Sequence, residues 1–205
     1  MAVLNINPTR MELNKIKGLL LTARKGHKLL KDKRDELMRQ FLNIAKATLR
    51  LRKQIEKDIL SANFNLEIAK ARTSQQAVKT ALLLSKQESL IKLSTKNIMG
   101  VTLPSFILEQ KVRPSDNISY GFSQTSIYLD KAINSYNKIL PSLIELAENE
   151  KTISILADEI EQTRRRVNAL EHLVIPNYQD TIRFITLKLD ETERGNIARL
   201  SRAKK

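Results

Sequence analysis

The chain has 205 residues with a formal net charge of +14; 28% of its residues are charged, 41% are hydrophobic and none is cysteine. This composition excludes a disulfide framework and a thiolate metal site, and the charge favours acidic partners. With only 4% aromatic residues and five glycines, it is typical of helical proteins. No apolar run approaches the roughly 18 residues of a membrane span, and the N-terminus lacks a signal-peptide pattern. We therefore expect no direct membrane insertion.

A long helix is predicted to begin after Pro8, because Thr9 can cap it and Glu12 can complete a capping box. It is predicted to reach about Asn63. The positions at uninterrupted alternating steps of three and four are apolar except for His27, Arg34 and Thr48, and this is the heptad pattern of a left-handed coiled coil. The positions are Leu13, Ile16, Leu20, Ala23, His27, Leu30, Arg34, Leu37, Phe41, Ile44, Thr48, Leu51 and Ile55.

The middle of the chain breaks this period. Residues 73–76 predict a break and residues 77–93 a second short helix. Residues 98–108 and 118–122 are rich in strand-forming residues, and they predict a small β-hairpin or an extended flap between helices. An irregular loop remains the alternative. Pro104 would confine its strand to an edge.

Heptad spacing returns in the C-terminal third of the chain. This region therefore supplies a partner helix for the long N-terminal helix. Two successive steps of four after Val174 indicate a stutter. Pro141 and Pro176 predict kinks, or alternatively Pro141 starts the helix. The apolar positions are Leu129, Ile133, Tyr136, Leu140, Leu143, Ala147, Ile153, Leu156, Ile160, Val167, Leu170, Val174, Tyr178, Ile182, Ile185 and Leu189.

The predicted fold is therefore mainly α. It is a long antiparallel two-helix coiled coil with a short helical and β-hairpin foot between the helices. The expected division is an N-terminal coiled-coil helix over residues 1–63, a foot over 64–122 and a C-terminal coiled-coil helix over 123–205.

No catalytic constellation is visible in the sequence. His27 and His172 lack metal-ligand spacing, and no Gly-rich phosphate loop is present. We expect no enzymatic activity, no cofactor and no metal. The block Arg164–Arg166 is either a solvated face or a binding surface. The charge alone also allows a basic coiled-coil nucleic-acid-binding or scaffold protein, although no nucleic-acid-binding motif appears.

Five segments resemble the D subunit of the V/A-type rotary ATPases. They are NPTR at 7–10, GHKLLKDKRDEL at 26–37, RRVNALE at 165–171, IP at 175–176 and DETER at 190–194. The resemblance implies a non-catalytic central rotor that couples ATP synthesis or hydrolysis to ion transport, cytoplasmic and peripheral to the membrane. Whether protons or sodium ions move, and in which direction the complex runs, stays open.

The resemblance also implies partners. They are the catalytic A subunits and the B subunits of the ring, the small F subunit of the stalk, and the subunit that caps the membrane rotor ring. Nucleic acid is not expected as a partner. We expect basic residues to meet the ring, namely Arg10, Lys15, Arg24, Arg164, Arg165 and Arg166. We expect apolar residues of the foot to bind the F subunit, namely Leu82, Leu83, Phe106 and Ile107.

Overall fold

The computed structural model describes residues 6–73, 75–83, 89–110 and 126–203. In chain order these form α1 (Arg10–Arg72), α2 (Gln75–Leu83), β1 (Ser89–Ile98), β2 (Val101–Gln110), α3 (Ile127–Ala169), a π-helical turn (Leu170–Val174) and α4 (Ile175–Ala203). The predicted mainly helical fold with a hairpin between two long helical segments is confirmed.

Two compact units divide the chain. The first, unit 1, combines the residues up to Met38 with those from Asp158 onward, and the second, unit 2, comprises Arg39–Ala157. Helix α1 therefore contributes to both units, and so does α3.

The N-terminus of α1 is capped by Thr9 as predicted, but Glu12 does not complete the capping box, because the Thr9 N–H donates to the Asn7 carbonyl at 2.9 Å. Thr9 Oγ1 accepts a hydrogen bond from the Glu12 backbone N–H at 3.3 Å, and the Thr9 carbonyl accepts one from the Leu13 N–H at 3.0 Å. The hydroxyl thus satisfies one of the amides that a helix start leaves without a partner.

The heptad seam of α1 is confirmed: each of its thirteen positions is buried or half-buried. The polar exceptions each find a partner. His27 Nε2 lies 3.4 Å from Glu171 Oε2, Arg34 pairs with Asp35, and Thr48 Oγ1 donates to the Ile44 carbonyl at 2.8 Å. Because buried polar groups are costly when unpaired, these contacts explain how the seam tolerates them.

In unit 1 the two helical segments run antiparallel. Arg10, near the start of α1, pairs with Glu193 of α4, and Lys33 Nζ lies 3.0 Å from Glu159 Oε1 of α3. Because the residue number of the partner falls as the residue number along α1 rises, the two segments run in opposite directions. Both segments contribute buried side chains to this unit. They are Ile16 and Leu37 from α1, Ile160, Thr163 and Val167 from α3, and Ile185 from α4.

Unit 2 has the same antiparallel pairing around two small cores. Ile55 and Ala62 of α1 pack with Ile139 of α3, and farther along Ala69 packs with Leu129. Val78 of α2 belongs to the second core. Helix α2 is therefore held where α1 ends and α3 begins.

The hairpin closes at Met99 and Gly100, which have φ angles of 53° and 83°. Two successive positive φ values are typical of a type I′ turn, whose twist matches that of paired strands. Asn97 Oδ1 accepts the Gly100 N–H at 2.9 Å. The strands pair antiparallel from Ile98↔Val101 to Ser89↔Gln110.

Several boundaries differ from the predictions. Helix α1 continues past Asn63 to Arg72, and α2 is shorter than the predicted helix over 77–93, because residues from Ser89 onward form β1. The apolar residues of 89–93 fit either period, and pairing with β2 decides for the strand. The predicted strand at 118–122 and loop at 113–117 lie outside the described residues.

In the first half of α3 the predicted seam was wrong at Leu143 and Ala147, whereas Leu129 is buried and Ile133, Tyr136 and Leu140 are half-buried as expected. Leu143 is 38% exposed and Ala147 is exposed, while Ala132 and Ile139 are buried. The reason is a series of apolar doublets, Ala132-Ile133, Ile139-Leu140 and Leu146-Ala147. Either member of each doublet satisfies a three-four spacing, so only the packing against α1 selects the phase.

Pro141 lies inside α3 and Pro176 is the second residue of α4, and the kinks expected at both remain a prediction. Helix α3 starts at Ile127 and continues through Pro141, which contradicts the alternative that Pro141 starts it. The predicted stutter adjoins the π-helical turn, in which the Ile175 N–H donates to the Leu170 carbonyl. Such a turn accommodates extra residues in a helix, and Pro176 follows directly.

A crosslink tests the pairing within unit 1. Ala23 is half-buried and Thr181 is fully buried, and both lie between the cross-helix pairs Arg10–Glu193 and His27–Glu171. The double variant Ala23→Cys/Thr181→Cys should form an intramolecular disulfide under mild oxidation, seen as a mobility shift on non-reducing gels. Lys25→Cys/Thr181→Cys is the control, because Lys25 is exposed. Exclusively intermolecular disulfides in the first variant would contradict the antiparallel pairing.

Candidate partner-binding surfaces

All six basic residues expected to meet the ring belong to unit 1, and all are exposed. They do not form one cluster. Arg10 pairs with Glu193, whereas Arg164–Arg166 follow Glu159, the partner of Lys33. Since Arg10 and Lys33 are separated by about 35 Å of helix, the basic residues occupy at least two levels of this unit.

The arginine block sits between two buried seam residues, Thr163 at 1% and Val167 at 2% exposure. Three successive helical residues differ by about 100° each in direction, so the guanidinium groups fan around α3. Arg165 pairs with Glu161 one turn earlier. Within the described part of the chain, no ion pair holds Arg164 or Arg166, so their charge is available to a partner.

The other three basic residues differ in how firmly they are held. Lys15 Nζ lies 3.5 Å from Glu12 Oε1, and Arg10 pairs with Glu193 across the two helices. Arg24 is exposed with no ion pair to a described residue. Arg24 therefore resembles Arg164 and Arg166, whereas Arg10 also links α1 to α4.

Helix α4 carries both acidic and basic side chains. The hydrogen bond from Lys188, together with its charge, lowers the pKa of the Glu191 carboxyl below its usual value. Lys188 Nζ lies 2.8 Å from Glu191 Oε2. A lowered pKa in the folded state means that this exposed pair favours folding at neutral pH and loses its effect as the pH falls through that pKa.

Of the four apolar residues expected to bind the F subunit, three have described side chains, and two of these lie on opposite faces of the hairpin. Leu82 of α2 is 49% exposed and Ile107 of β2 is 51% exposed, whereas Phe106 is half-buried. Phe106 and Ile107 are consecutive in β2 and point to opposite faces of the hairpin. Leu83 lies in α2, but its side chain is outside the described residues.

Sequence reasoning missed the exposed apolar residues of β1. Leu90, Ile91 and Leu93 are 44%, 50% and 76% exposed. The sequence pattern places them at the end of a helix, so no surface is predicted there. Their alternation with Lys92 and Ser94 was the available signal, since period two is the pattern of a strand.

No metal site or membrane-spanning helix is found in the described ranges. No group of three or more His, Asp and Glu side chains is placed there to hold a metal ion. None of the described helices is both long enough and apolar enough to cross a membrane.

Comparison with known proteins places the chain in a family. The model of the family of ATP synthase D subunits matches residues 12–205. The D subunit of the V-type ATP synthase of Acetivibrio thermocellus is 48% identical over 205 residues, covering 100% of this chain and 92% of that relative. The V-type ATP synthase D subunits of Clostridioides difficile and Fusobacterium nucleatum are 48% and 45% identical, each over 204 residues and 100% of this chain; the chain covers 92% and 97% of them.

Similarity of this extent spans both helical segments and the hairpin between them. The chain therefore belongs to the family of ATP synthase D subunits and is a central-stalk component of a V-type rotary ATPase.

Proposed function

We propose that this chain is the non-catalytic rotor of its complex and transmits rotation between the catalytic ring of A and B subunits and the membrane rotor. The observation that carries the proposal is the family match over nearly the whole chain, residues 12–205. The absence of an acid, base or nucleophile arrangement in the sequence is consistent with this role. In such a complex the chain would lie on the cytoplasmic side, peripheral to the membrane.

We propose that unit 1 meets the ring. It contains the chain segments nearest both termini and all six of the basic residues considered above. A rotor must be pushed without being trapped at one angle. Exposed ion pairs contribute only about 0–1 kcal/mol each, so long basic side chains can exchange acidic partners as the ring changes shape. A deep apolar interlock would instead hold one orientation.

We propose that unit 2 carries the contacts with the F subunit and with the protein that caps the membrane rotor ring. The supporting feature is exposed apolar surface beyond the seam, at Leu82 of α2 and Ile107 of β2. Large apolar side chains that stay exposed on an isolated protein commonly mark contact sites in an assembly.

Purification of the tagged chain from its own cells tests the proposed function. Recovery of the A, B and F subunits, identified by mass spectrometry, is the expected result, with ATPase activity that depends on the ring. The net charge of +14 supports a second candidate, a nucleic-acid-binding protein. Recovery of nucleic acid that dissociates with added salt, without ring proteins, would favour that candidate and contradict the rotor.

A further inference from the structure

The two edges of the hairpin differ in chemistry. In a hairpin with a two-residue turn, hydrogen-bonded and non-hydrogen-bonded pairs alternate from the closing pair, here Ile98 and Val101. The non-hydrogen-bonded pairs include Thr95↔Pro104 and Leu93↔Phe106. Residues in these pairs direct their backbone N–H and C=O groups away from the partner strand, toward the outer edges.

The outer edge of β2 is closed. Pro104 has no N–H to offer. The outward N–H of Phe106 donates to Glu148 Oε2 of α3 at 2.8 Å, which also confirms the direction of the amides. The Glu148 carboxylate lies 3.8 Å from Lys96 Nζ and is only 23% exposed. This carboxylate therefore occupies the position that another strand would need.

The outer edge of β1 is open in the described ranges. No described residue pairs with this side of β1, and every residue from Leu90 to Asn97 is exposed. Proteins often protect such an edge with lysines. Here Lys92 and Lys96 form ion pairs with Glu109 of β2 and Glu148 of α3 but stay 66% and 68% exposed, so the edge repels a basic strand and admits an acidic one.

Apolar side chains accompany this open edge. Ile91 and Leu93 lie on the same face of the hairpin, where they pair with Leu108 and Phe106 of β2, both half-buried. An exposed edge strand with large apolar side chains is an aggregation hazard unless something covers it. Outward backbone groups and apolar side chains at the same edge are the two features used when a strand is added to a sheet.

We propose that the outer edge of β1 binds an extended segment of an acidic partner protein, which adds a third strand to the hairpin. The segment carries apolar residues at alternate positions, which cover Ile91 and Leu93. Its intervening positions lie beside Lys92 and Lys96 and suit Asp or Glu. The net charge of +14 favours an acidic partner. A second copy of this chain fits poorly, because pairing two β1 strands would bring their lysines together.

This inference goes beyond the proposed rotor function and does not depend on which residues meet the ring. Amide hydrogen exchange, with fragmentation to resolve single amides, compares the free chain with the chain in the assembled V-type ATP synthase. The outward amides of Ile91, Leu93 and Thr95 should exchange at least about tenfold more slowly in the complex. Equal exchange of these amides in both samples would overturn the proposal.

Two proline variants test the outer edge of β1 without removing hydrogen bonds between the two strands of the hairpin. Thr95→Pro removes an outward N–H of β1 and leaves the hydrogen bonds between the strands intact. Thr102→Pro makes the same change on the outer edge of β2 and is the matched control. In both backgrounds a photoreactive benzoylphenylalanine replaces Leu93, and the assembled complex is illuminated.

Thr95→Pro should lower the crosslink yield at least about tenfold, while Thr102→Pro leaves it within about twofold. The crosslinked peptide should contain alternating apolar and acidic residues. Equal yields in the two variants, or a crosslink to a second copy of this chain, would contradict the proposal.

Discussion

Replacing Arg164, Arg165 and Arg166 together with alanine is expected to weaken docking of this chain into the A/B ring about 5- to 30-fold. That factor corresponds to about 1–2 kcal/mol, which is what three exposed ion pairs supply in total. The coiled coil should stay folded, because all three side chains are exposed and alanine favours helix. Coupled ATP turnover in the reassembled complex should fall with the affinity.

Measuring docking at different salt concentrations distinguishes the loss of charge contacts from a general loss of stability. Added salt should weaken docking of the wild-type chain more than docking of the triple variant, because screening acts on charges that the variant lacks. Affinity is measured by titrating the isolated ring at low and at physiological ionic strength, and helicity by circular dichroism. Wild-type affinity at both ionic strengths would show that the block is only a solvated face.

A control for net charge comes from unit 2. Lys46, Lys53 and Lys57 are exposed positions of α1 with no ion pair to a described residue. Their triple alanine variant loses the same charge as the arginine variant. It should dock into the ring with wild-type affinity if the position of the charge matters. An equal loss in both variants would indicate non-specific attraction by the basic chain as a whole.

Replacing both Leu82 and Ile107 with serine is expected to weaken capture of the F subunit about 100-fold. Each apolar side chain covered by a partner contributes about 1–2 kcal/mol, so the pair contributes about 3 kcal/mol. Folding should change little, because both side chains are about half exposed in the free chain. Binding is measured by titrating the purified F subunit, with thermal unfolding as the check on stability.

Leu21→Ser/Leu29→Ser provides the matched control in unit 1. These residues are 57% and 69% exposed, so the variant removes comparable apolar surface from a region not expected to bind the F subunit. A more severe change replaces residues 73–125 with a short Gly-Ser linker, which keeps Ala69 and Leu129 but removes Val78 from their core. Undiminished binding of the F subunit to that variant would reject the assignment of this partner to the foot.

The seam of α1 was predictable because each of its positions is determined locally. From Leu13 to Ile55, positions spaced alternately by three and four residues hold an apolar side chain or one of three polar exceptions. The positions beside them are mostly polar. The cap at Thr9 was predictable for the same reason, since it depends on residues three apart. The family resemblance was likewise carried by short segments near both ends, and the comparisons confirmed it over the whole length.

The phase of α3 was not predictable, since apolar doublets such as Ile139-Leu140 offer two equivalent seams. Thr163 and Thr181 are buried as well, yet their hydroxyls excluded them from an apolar pattern. Thr181 Oγ1 donates to the Asn177 carbonyl of its own helix at 2.7 Å, which makes its burial inexpensive. The sequence does not show which polar groups will find such a partner.

The amino-acid sequence by itself determined the helical class, the seam and start of α1, the stutter at the start of α4 and the strongly positive net charge. The tertiary structure alone decided that residues 89–98 pair as a strand, that Phe106 and Ile107 face opposite ways, and that Glu148 closes one hairpin edge while β1 stays open among the described residues. The physical reason is distance along the chain. Helix periodicity and caps depend on neighbours within four residues, whereas strand pairing joins residues up to 21 apart and the Phe106–Glu148 contact joins residues 42 apart.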